Sequence, residues 1–135
     1  MTLQLSTPCR NGRLDSIETT VGTSPILTMR TGAAPANCGT ANSGTVLATL
    51  TLPSNWMAAA ASGAIAMAGS WGDLSADAPG NAAHFRIHDS TGTTCGLQGT
   101  VTATGGGGDM TVDNVVFAVG QAFSVTGFTI TDGNA

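Results

Sequence analysis

Residues 45–52 carry apolar side chains at all four even positions and threonine at three of the four odd positions. The apolar set is Val46, Ala48, Leu50 and Leu52, and the other set is Thr45, Thr49 and Thr51. A period of two places the two sets on opposite faces of a half-buried β-strand. Other short apolar runs follow along the chain, and the 19 Gly and 5 Pro fall largely between them. This spacing is typical of an all-β domain.

Seven or eight short strands are expected on this basis. Besides 45–52, the predicted strands are 26–31, 64–68, 84–89, 94–102, 110–112, 115–119 and 121–131. Trp56–Ser62 is compatible with a single helical turn, because alanine is the best helix former. In 84–89, Phe85 and Ile87 point inward while Arg86 and His88 point outward. The strand count favours an antiparallel β-sandwich or jelly roll.

The last predicted strand changes face partway along its length. Phe123 and Val125 share one parity, whereas Phe128 and Ile130 share the other, and Gly127 lies at the change. One inserted residue at this point returns all four side chains to the core. The pattern therefore predicts a β-bulge at Gly127.

A short helix is expected before the strands begin. Ser6 or Thr7 is a suitable N-cap, Pro8 fits the first turn, and Gly22 can end the helix. The apolar stripe of this helix is Leu14, Ile17 and Val21. The chain is accordingly divided into an N-terminal arm with a short helix, 1–22, and a β-sandwich domain, 23–135.

Charge is scarce: the 135 residues include four Arg, no Lys and eight Asp or Glu. Nucleic acids and anionic membranes are bound through clustered cations, so both are disfavoured as partners. No apolar run approaches the ~20 residues that span a bilayer, and the first residues do not form a secretory signal. The chain is expected to be made and assembled in the cytosol.

The three cysteines, Cys9, Cys38 and Cys95, cannot all pair within one chain. Reduced thiols are the expectation for a chain made in the cytosol. A Cys38–Cys95 disulfide formed after release from a cell is the alternative.

No catalytic or metal-binding constellation is evident, and no cofactor is expected. His84 and His88 lie about 13 Å apart on an extended strand, which is too far for one metal ion, so they are interpreted as neutral surface residues. The acids at i, i+4 are Asp73, Asp77, Asp109 and Asp113. They lack the dense oxygen pattern of calcium loops and are interpreted as solvated turn residues. The run 105–108 lacks the Lys and Ser/Thr of a phosphate loop.

Trp56 and Trp71 allow two interpretations. They are ordinary core residues, or they are partly exposed anchors for a partner chain or a sugar. The segment 57–68 between them contains no charge, which favours contact with another chain.

Several segments resemble the capsid cement, or decoration, proteins of tailed double-stranded DNA bacteriophages that have a jelly-roll fold. These segments are 5–17, 31–35, 44–52, 85–93 and 123–130. The resemblance covers most of the chain. It implies a non-enzymatic virion protein that binds the outside of the assembled head, bridges neighbouring major capsid proteins, and self-associates as a dimer or trimer. The family has no site motif that can be transferred residue by residue.

We expect the arm and the uncharged segment to carry the protein contacts. The candidate contact residues are Leu3, Leu5, Arg10, Arg13, Trp56, Met57 and Trp71. A tail or connector subunit of the virion and a carbohydrate-binding β-sandwich module are the alternatives. The second of these needs aromatic platforms, and the chain offers two Trp and no Tyr.

Overall fold

Residues 3–135 are described by a computed structural model, and they form one α-helix and ten strands. The elements are α1 (Thr7–Val21), β1 (Ile26–Arg30), β2 (Val46–Thr51), β3 (Ala64–Ala66), β4 (Gly72–Asp73), β5 (Gly80–Asn81), β6 (His84–His88), β7 (Cys95–Ala103), β8 (Met110–Val112), β9 (Val116–Phe117) and β10 (Phe123–Thr131). The expectation of a mostly β chain with a short N-terminal helix is confirmed.

The strands form one large sheet and one small sheet. The large sheet has the order β2-β1-β6-β7-β8-β10-β3, with β4 also paired to β10, and β5 pairs with β9 in the small sheet. All pairs between these strands are antiparallel except β7–β8, which is parallel. The sheet is therefore mixed, which corrects the expectation of a purely antiparallel arrangement.

The glycine run between β7 and β8 explains the parallel pair. A Cβ at Gly106 would lie 2.7 Å from Thr102 Cβ, and one at Gly108 would lie 2.9 Å from Thr102 Cγ2. Gly108 N also donates to Thr102 Oγ1 at 3.0 Å. Because neither glycine carries a side chain, the chain turns back against β7 and β8 starts beside Val101. The run 105–108 is therefore a packed connection between two parallel strands.

The predicted bulge in the last strand is confirmed. The register of β10 against β8 shifts between Val125 and Gly127. Phe123, Val125 and Phe128 are all buried, and Ile130 packs against the same core. The extra residue restores the inward face, as the change of parity requires.

In β2 the alternation is only partly observed. Ala48 and Leu50 are buried as predicted, but Leu47, on the threonine face, is completely buried as well. Its carbonyl accepts from Asp77 N at 2.7 Å, and Gly80 lies against its side chain. The segment around Asp77 therefore covers the second face of this edge strand.

The helix has the predicted ends. Ser6 Oγ accepts from Cys9 N at 3.4 Å, and Gly22, with φ of 97°, donates to Glu18 O at 2.9 Å. Of the predicted stripe, Leu14 is buried, while Ile17 and Val21 are partly buried against the core. A hydrophobic stripe alone does not hold this helix in place.

Trp56–Ser62 does not form the helical turn that its alanines allow. Met57 forms a bridge with Met67, and Ala61 forms one with Ala64, so the segment is an extended partner of β3. Tertiary pairing thus overrides the intrinsic helix propensity of alanine.

Candidate functional site

The N-terminal arm was expected to reach a partner, and the structure joins most of it to this chain. Arg13 Nε lies 3.2 Å from Asp132 Oδ2, and Arg10 Nη1 donates to Asp132 O at 3.3 Å. Leu5 N donates to Asn134 O at 2.6 Å. Leu3 is different, since 73% of its surface is exposed. Of the four candidate contact residues in the arm, Leu3 is the most open to a partner.

Three polar side chains of α1 hold the uncharged segment that follows Trp56. Asn11 Oδ1 accepts from Gly63 N at 2.9 Å, and Asp15 Oδ1 accepts from Ala60 N at 2.8 Å. Glu18 Oε1 accepts from Met57 N at 3.2 Å. These residues recur at helical spacing, so one face of α1 presents a row of acceptors to one edge of an extended segment. We call this arrangement the acceptor row.

Trp56, Met57 and Trp71 lie in the core, with 0%, 1% and 2% of their surfaces exposed. Trp56 Nε1 donates to Gly22 O at 2.9 Å, and the two indole rings are 6.1 Å apart. The first of the two interpretations therefore applies, and these side chains are not open to a partner. Of the uncharged segment, Met57, Gly63 and Ile65 are buried, whereas its exposed residues are Ala58, Ala59, Ala61, Ser62 and Ala66.

Sequence reasoning did not identify the exposed apolar residues that remain. Leu74, Val116 and Val119 are 87%, 58% and 67% exposed. The segments that carry Leu74 and Val119 are joined by backbone hydrogen bonds, from Ala76 N to Gln121 O and from Gly120 N to Ala76 O, both at 2.8 Å. Val116 precedes Val119 by three residues and lies in β9. We call these three residues the Leu74 surface. The apolar run 115–119 was a signal, but it was interpreted only as a strand.

The four basic side chains of the described strands, two Arg and two His, lie under the loop 32–44. Arg30 and Arg86 are 7% and 1% exposed, and His84 and His88 are 0% and 5% exposed. All four lie on one face of β1 and β6, where Arg30 is opposite His84 in the register. The outward direction predicted for Arg86 and His88 is correct with respect to the core. The expected surface position of His84 and His88 is wrong, and Arg86 is buried as well, because the loop 32–44 covers that face.

Arg86 fixes this loop through four acceptors. Nη1 donates to Asn42 Oδ1 at 2.6 Å and to Thr40 O at 3.0 Å. Nη2 donates to Cys38 O at 2.9 Å and to Asn37 O at 3.3 Å. The planar guanidinium suits such a fork of acceptors, which replaces the water that a buried cation loses.

Burial and neighbouring cations act on the other basic groups of this face. Burial, and then the charge of Arg86, lowers the pKa of Arg30. Burial lowers the pKa of His88, and Arg86 and Arg30 add to the effect, while Asp89 opposes it. His84 Nδ1 lies 2.7 Å from Gly32 O, and it carries a proton there because a carbonyl only accepts.

A cleft of about 210 Å³ opens beside Arg86, Cys38, His88, Thr93 and Cys95. An anion is the ligand that such a lining suggests. However, both terminal nitrogens of Arg86 already donate to the loop. Only the buried Nε of Arg86 has no partner, so the guanidinium cannot hold an anion through two parallel hydrogen bonds.

The acids cap turns and strand ends, as their interpretation as turn residues requires. Asp109 Oδ2 accepts from Thr100 N at 2.9 Å, Asp113 Oδ1 accepts from Ser124 N at 3.0 Å, and Asp73 Oδ1 accepts from Ser75 N at 3.0 Å. Within residues 3–135, no three His, Cys, Asp or Glu side chains are grouped so that they could hold a metal ion. In the same range, no helix has the length and apolar character needed to cross a membrane.

Comparisons with known proteins returned no family model, no curated protein and no solved structure that matches this chain.

Proposed function

We propose that this protein is a structural subunit of a tailed bacteriophage virion, a cement protein that binds the outside of the head. It bridges neighbouring major capsid proteins and stabilises the shell. The chain is assembled in the host cytoplasm and acts on the capsid exterior, as a dimer or trimer. The resemblance of its sequence segments to decoration proteins is the starting point of this proposal.

The observation that carries the proposal is the Leu74 surface on an otherwise weakly charged exterior. Leu74 leaves 87% of its surface in water, and Val119 leaves 67%. Burying such a side chain against a partner is worth roughly 1.5–3 kcal/mol. A gain of this size is modest for one copy, and it is repeated at every copy on a shell.

Mass action explains how modest contacts stabilise a capsid. A protein that binds the assembled shell, and not its dissociated subunits, shifts the equilibrium toward the shell. Two of the four arginines, Arg30 and Arg86, are buried. Few cations therefore remain on the surface to bind nucleic acid. Neutral threonine-rich strands remain available for hydrogen bonds with capsid protein.

We also infer that the mixed sheet closes into a sandwich of the jelly-roll type. Two strands, β7 and β8, lie between β6, which carries Phe85, and β10, which carries Phe128. The two rings nevertheless meet edge to face, with centroids 5.5 Å apart. Contact between such distant strands is expected when two halves of a sheet pack face to face.

The structure offers no observation that favours sugar binding. Stacking on a sugar needs an exposed aromatic face. The six aromatic side chains, Trp56, Trp71, Phe85, Phe117, Phe123 and Phe128, are all buried.

Binding to purified shells that lack this protein tests the proposal. The wild-type protein should bind in a constant ratio to the major capsid protein and raise the temperature at which the shells open. Leu74→Asp should weaken binding, because a charge replaces the apolar contact. Ser90→Asp is the matched control, since it adds the same charge to an exposed turn between β6 and β7.

The copy number in purified virions distinguishes the alternatives. Copies in proportion to the major capsid protein support a cement protein. A few copies at one vertex would assign the chain to the tail or connector. Shells whose opening temperature does not change when the protein is bound would contradict the stabilising role.

A further inference from the structure

Two cysteines that are 57 residues apart in sequence meet at the edge of the loop 32–44. Cys95 Sγ lies 2.9 Å from Cys38 Sγ, and both residues are half-buried. A disulfide bond is about 2.05 Å long, so a small shift of either side chain is enough to form one. Cys9 is exposed near the start of α1, and it belongs to a different part of the molecule.

Contacts around the pair hold it in place before any bond forms. Arg86 Nη2 donates to Cys38 O at 2.9 Å, and Gln98 Nε2 donates to Pro35 O at 2.7 Å. Cys95 begins β7 and lies opposite His88 in the register. The loop and the strand are each fixed to the same sheet, so little additional ordering is needed to bring the two sulfurs together.

We propose that Cys38 and Cys95 form an intramolecular disulfide when the folded protein meets a peroxide or a small-molecule disulfide. The bond ties the loop that covers Arg86 to β7, and it makes the thiol pair a redox modification site. This inference concerns the chain itself, so it stands or fails independently of the proposed virion function.

Hydrogen peroxide oxidises the thiol pair in two steps. One thiolate attacks a peroxide oxygen, the O–O bond breaks, and a sulfenic acid and hydroxide result. The second thiolate attacks that sulfur, the S–S bond forms, and the S–O bond breaks to release water after protonation. Two thiols and one peroxide give one disulfide and two waters, and the sulfurs lose the two electrons that the peroxide gains. With oxidised glutathione, two exchange steps release two molecules of the thiol.

The surroundings favour a pair that stays reduced until an oxidant is supplied. Burial, and then the hydrogen bond and charge of Cys38, raises the pKa of Cys95 to about 11. A thiol with so high a pKa keeps its proton near neutral pH and reacts slowly. Bond formation should therefore accelerate as the pH is raised.

Intact mass and peptide mapping of the full-length protein test the proposal directly. The protein is purified with reductant, freed of it, and treated with hydrogen peroxide or oxidised glutathione. We expect the mass to fall by two hydrogens, one free thiol to remain of the three, and one peptide pair to join residues 38 and 95. The bond should raise the melting temperature by about 10 °C, because it closes a long loop in the unfolded chain.

Three serine variants serve as controls. Cys9→Ser should keep both the mass change and the rise in melting temperature, whereas Cys38→Ser and Cys95→Ser should lose both. A cooperative melting transition of each reduced variant shows that it is folded. The peptide map of the wild-type protein tests the disulfide even if a variant fails to fold. Stable glutathione adducts on Cys38 or Cys95, dimers linked through Cys9 alone, or three persistent thiols under excess oxidant would overturn the proposal.

Discussion

Gly96 of β7 lies directly beneath Val21 of α1, so close that a Cβ on Gly96 would be 2.5 Å from Val21 Cγ2. The last turn of the helix therefore rests on bare backbone at the start of β7. Gly96 does not have a positive φ, and space for the helix is the reason that a side chain is excluded there.

Gly96→Ala should destabilise the protein by about 1–3 kcal/mol, because the added methyl group overpacks this contact. Val21→Ala creates the space that the methyl group needs. The double variant should consequently be more stable than the sum of the two single changes predicts. Urea unfolding of the four proteins measures the coupling, and strict additivity would contradict the close approach.

Asp15→Ala tests the acceptor row. The change leaves Ala60 N without its 2.8 Å partner, and it should cost about 1 kcal/mol. Asp15→Asn is the matched control, because an amide oxygen still accepts the hydrogen bond. Hydrogen exchange at the Ala60 amide should accelerate in the alanine variant and change little in the asparagine variant. Equal exchange in both variants would show that Asp15 does not protect this amide.

Arg86→Met should release the loop 32–44 from the sheet. Four oxygen acceptors lose their donor, and we expect a loss of about 3 kcal/mol in the free energy of unfolding. Arg86→Lys keeps the charge but not the planar fork, so it should restore only part of the loss. Alkylation of Cys38 should be faster in both variants than in the wild type. An unchanged alkylation rate in Arg86→Met would show that other contacts hold the loop.

His88 should make stability depend on pH near neutrality. Burial and the charges of Arg86 and Arg30 lower its pKa below the usual 6.5. Below pH ~6.5 the unfolded chain binds a proton that the folded chain resists. The stability that neutral His88 contributes is thus complete above pH ~6.5, and it is lost as the pH falls toward the lowered pKa of His88. Thermal melting across this range should show a flatter profile for His88→Gln, and a parallel profile would contradict the assignment.

Asp89 should make stability depend on pH in a more acidic range than His88 does. Its pKa is lowered from 3.8 to about 2, first by the hydroxyl of Thr91 and then by the backbone N–H of Thr93. Its contribution is present above pH 3.8 and is lost as the pH falls toward 2. Asp89→Asn should flatten the melting profile in this range. It should also lower the pKa of His88 further, because the charge of Asp89 opposes that lowering. An unchanged profile between pH 3.8 and about 2 in this variant would contradict the assignment.

Local sequence patterns predicted the structural features that depend only on residues close in sequence. The ends of α1 followed from Ser6 and Gly22, and the bulge at Gly127 followed from the change of parity between Val125 and Phe128. Each of these features is determined within a few residues of sequence, because caps and bulges depend on local backbone geometry.

Contacts between segments that are distant in sequence could not be predicted in the same way. Alternation places Arg86 and His88 away from the core, but it does not reveal that the loop 32–44 folds over them. Similarly, the sequence does not reveal that the acceptor row of α1 accepts hydrogen bonds from the backbone of the uncharged segment after Trp56. The approach of Cys38 to Cys95 depends on both the loop and the register of β7. A single sequence carries none of these long-range distances explicitly.

The attachment of α1 to Asp132 and Asn134 has a consequence for the order of folding. The helix is synthesised before the strands, whereas Asp132 and Asn134 follow β10. A helix of 15 residues with one buried side chain is marginal in water, so it cannot persist on its own in the interval. The chain therefore completes its fold only after β10 has been synthesised, and a nascent chain that lacks β10 exposes both the helix and the segment that it later covers.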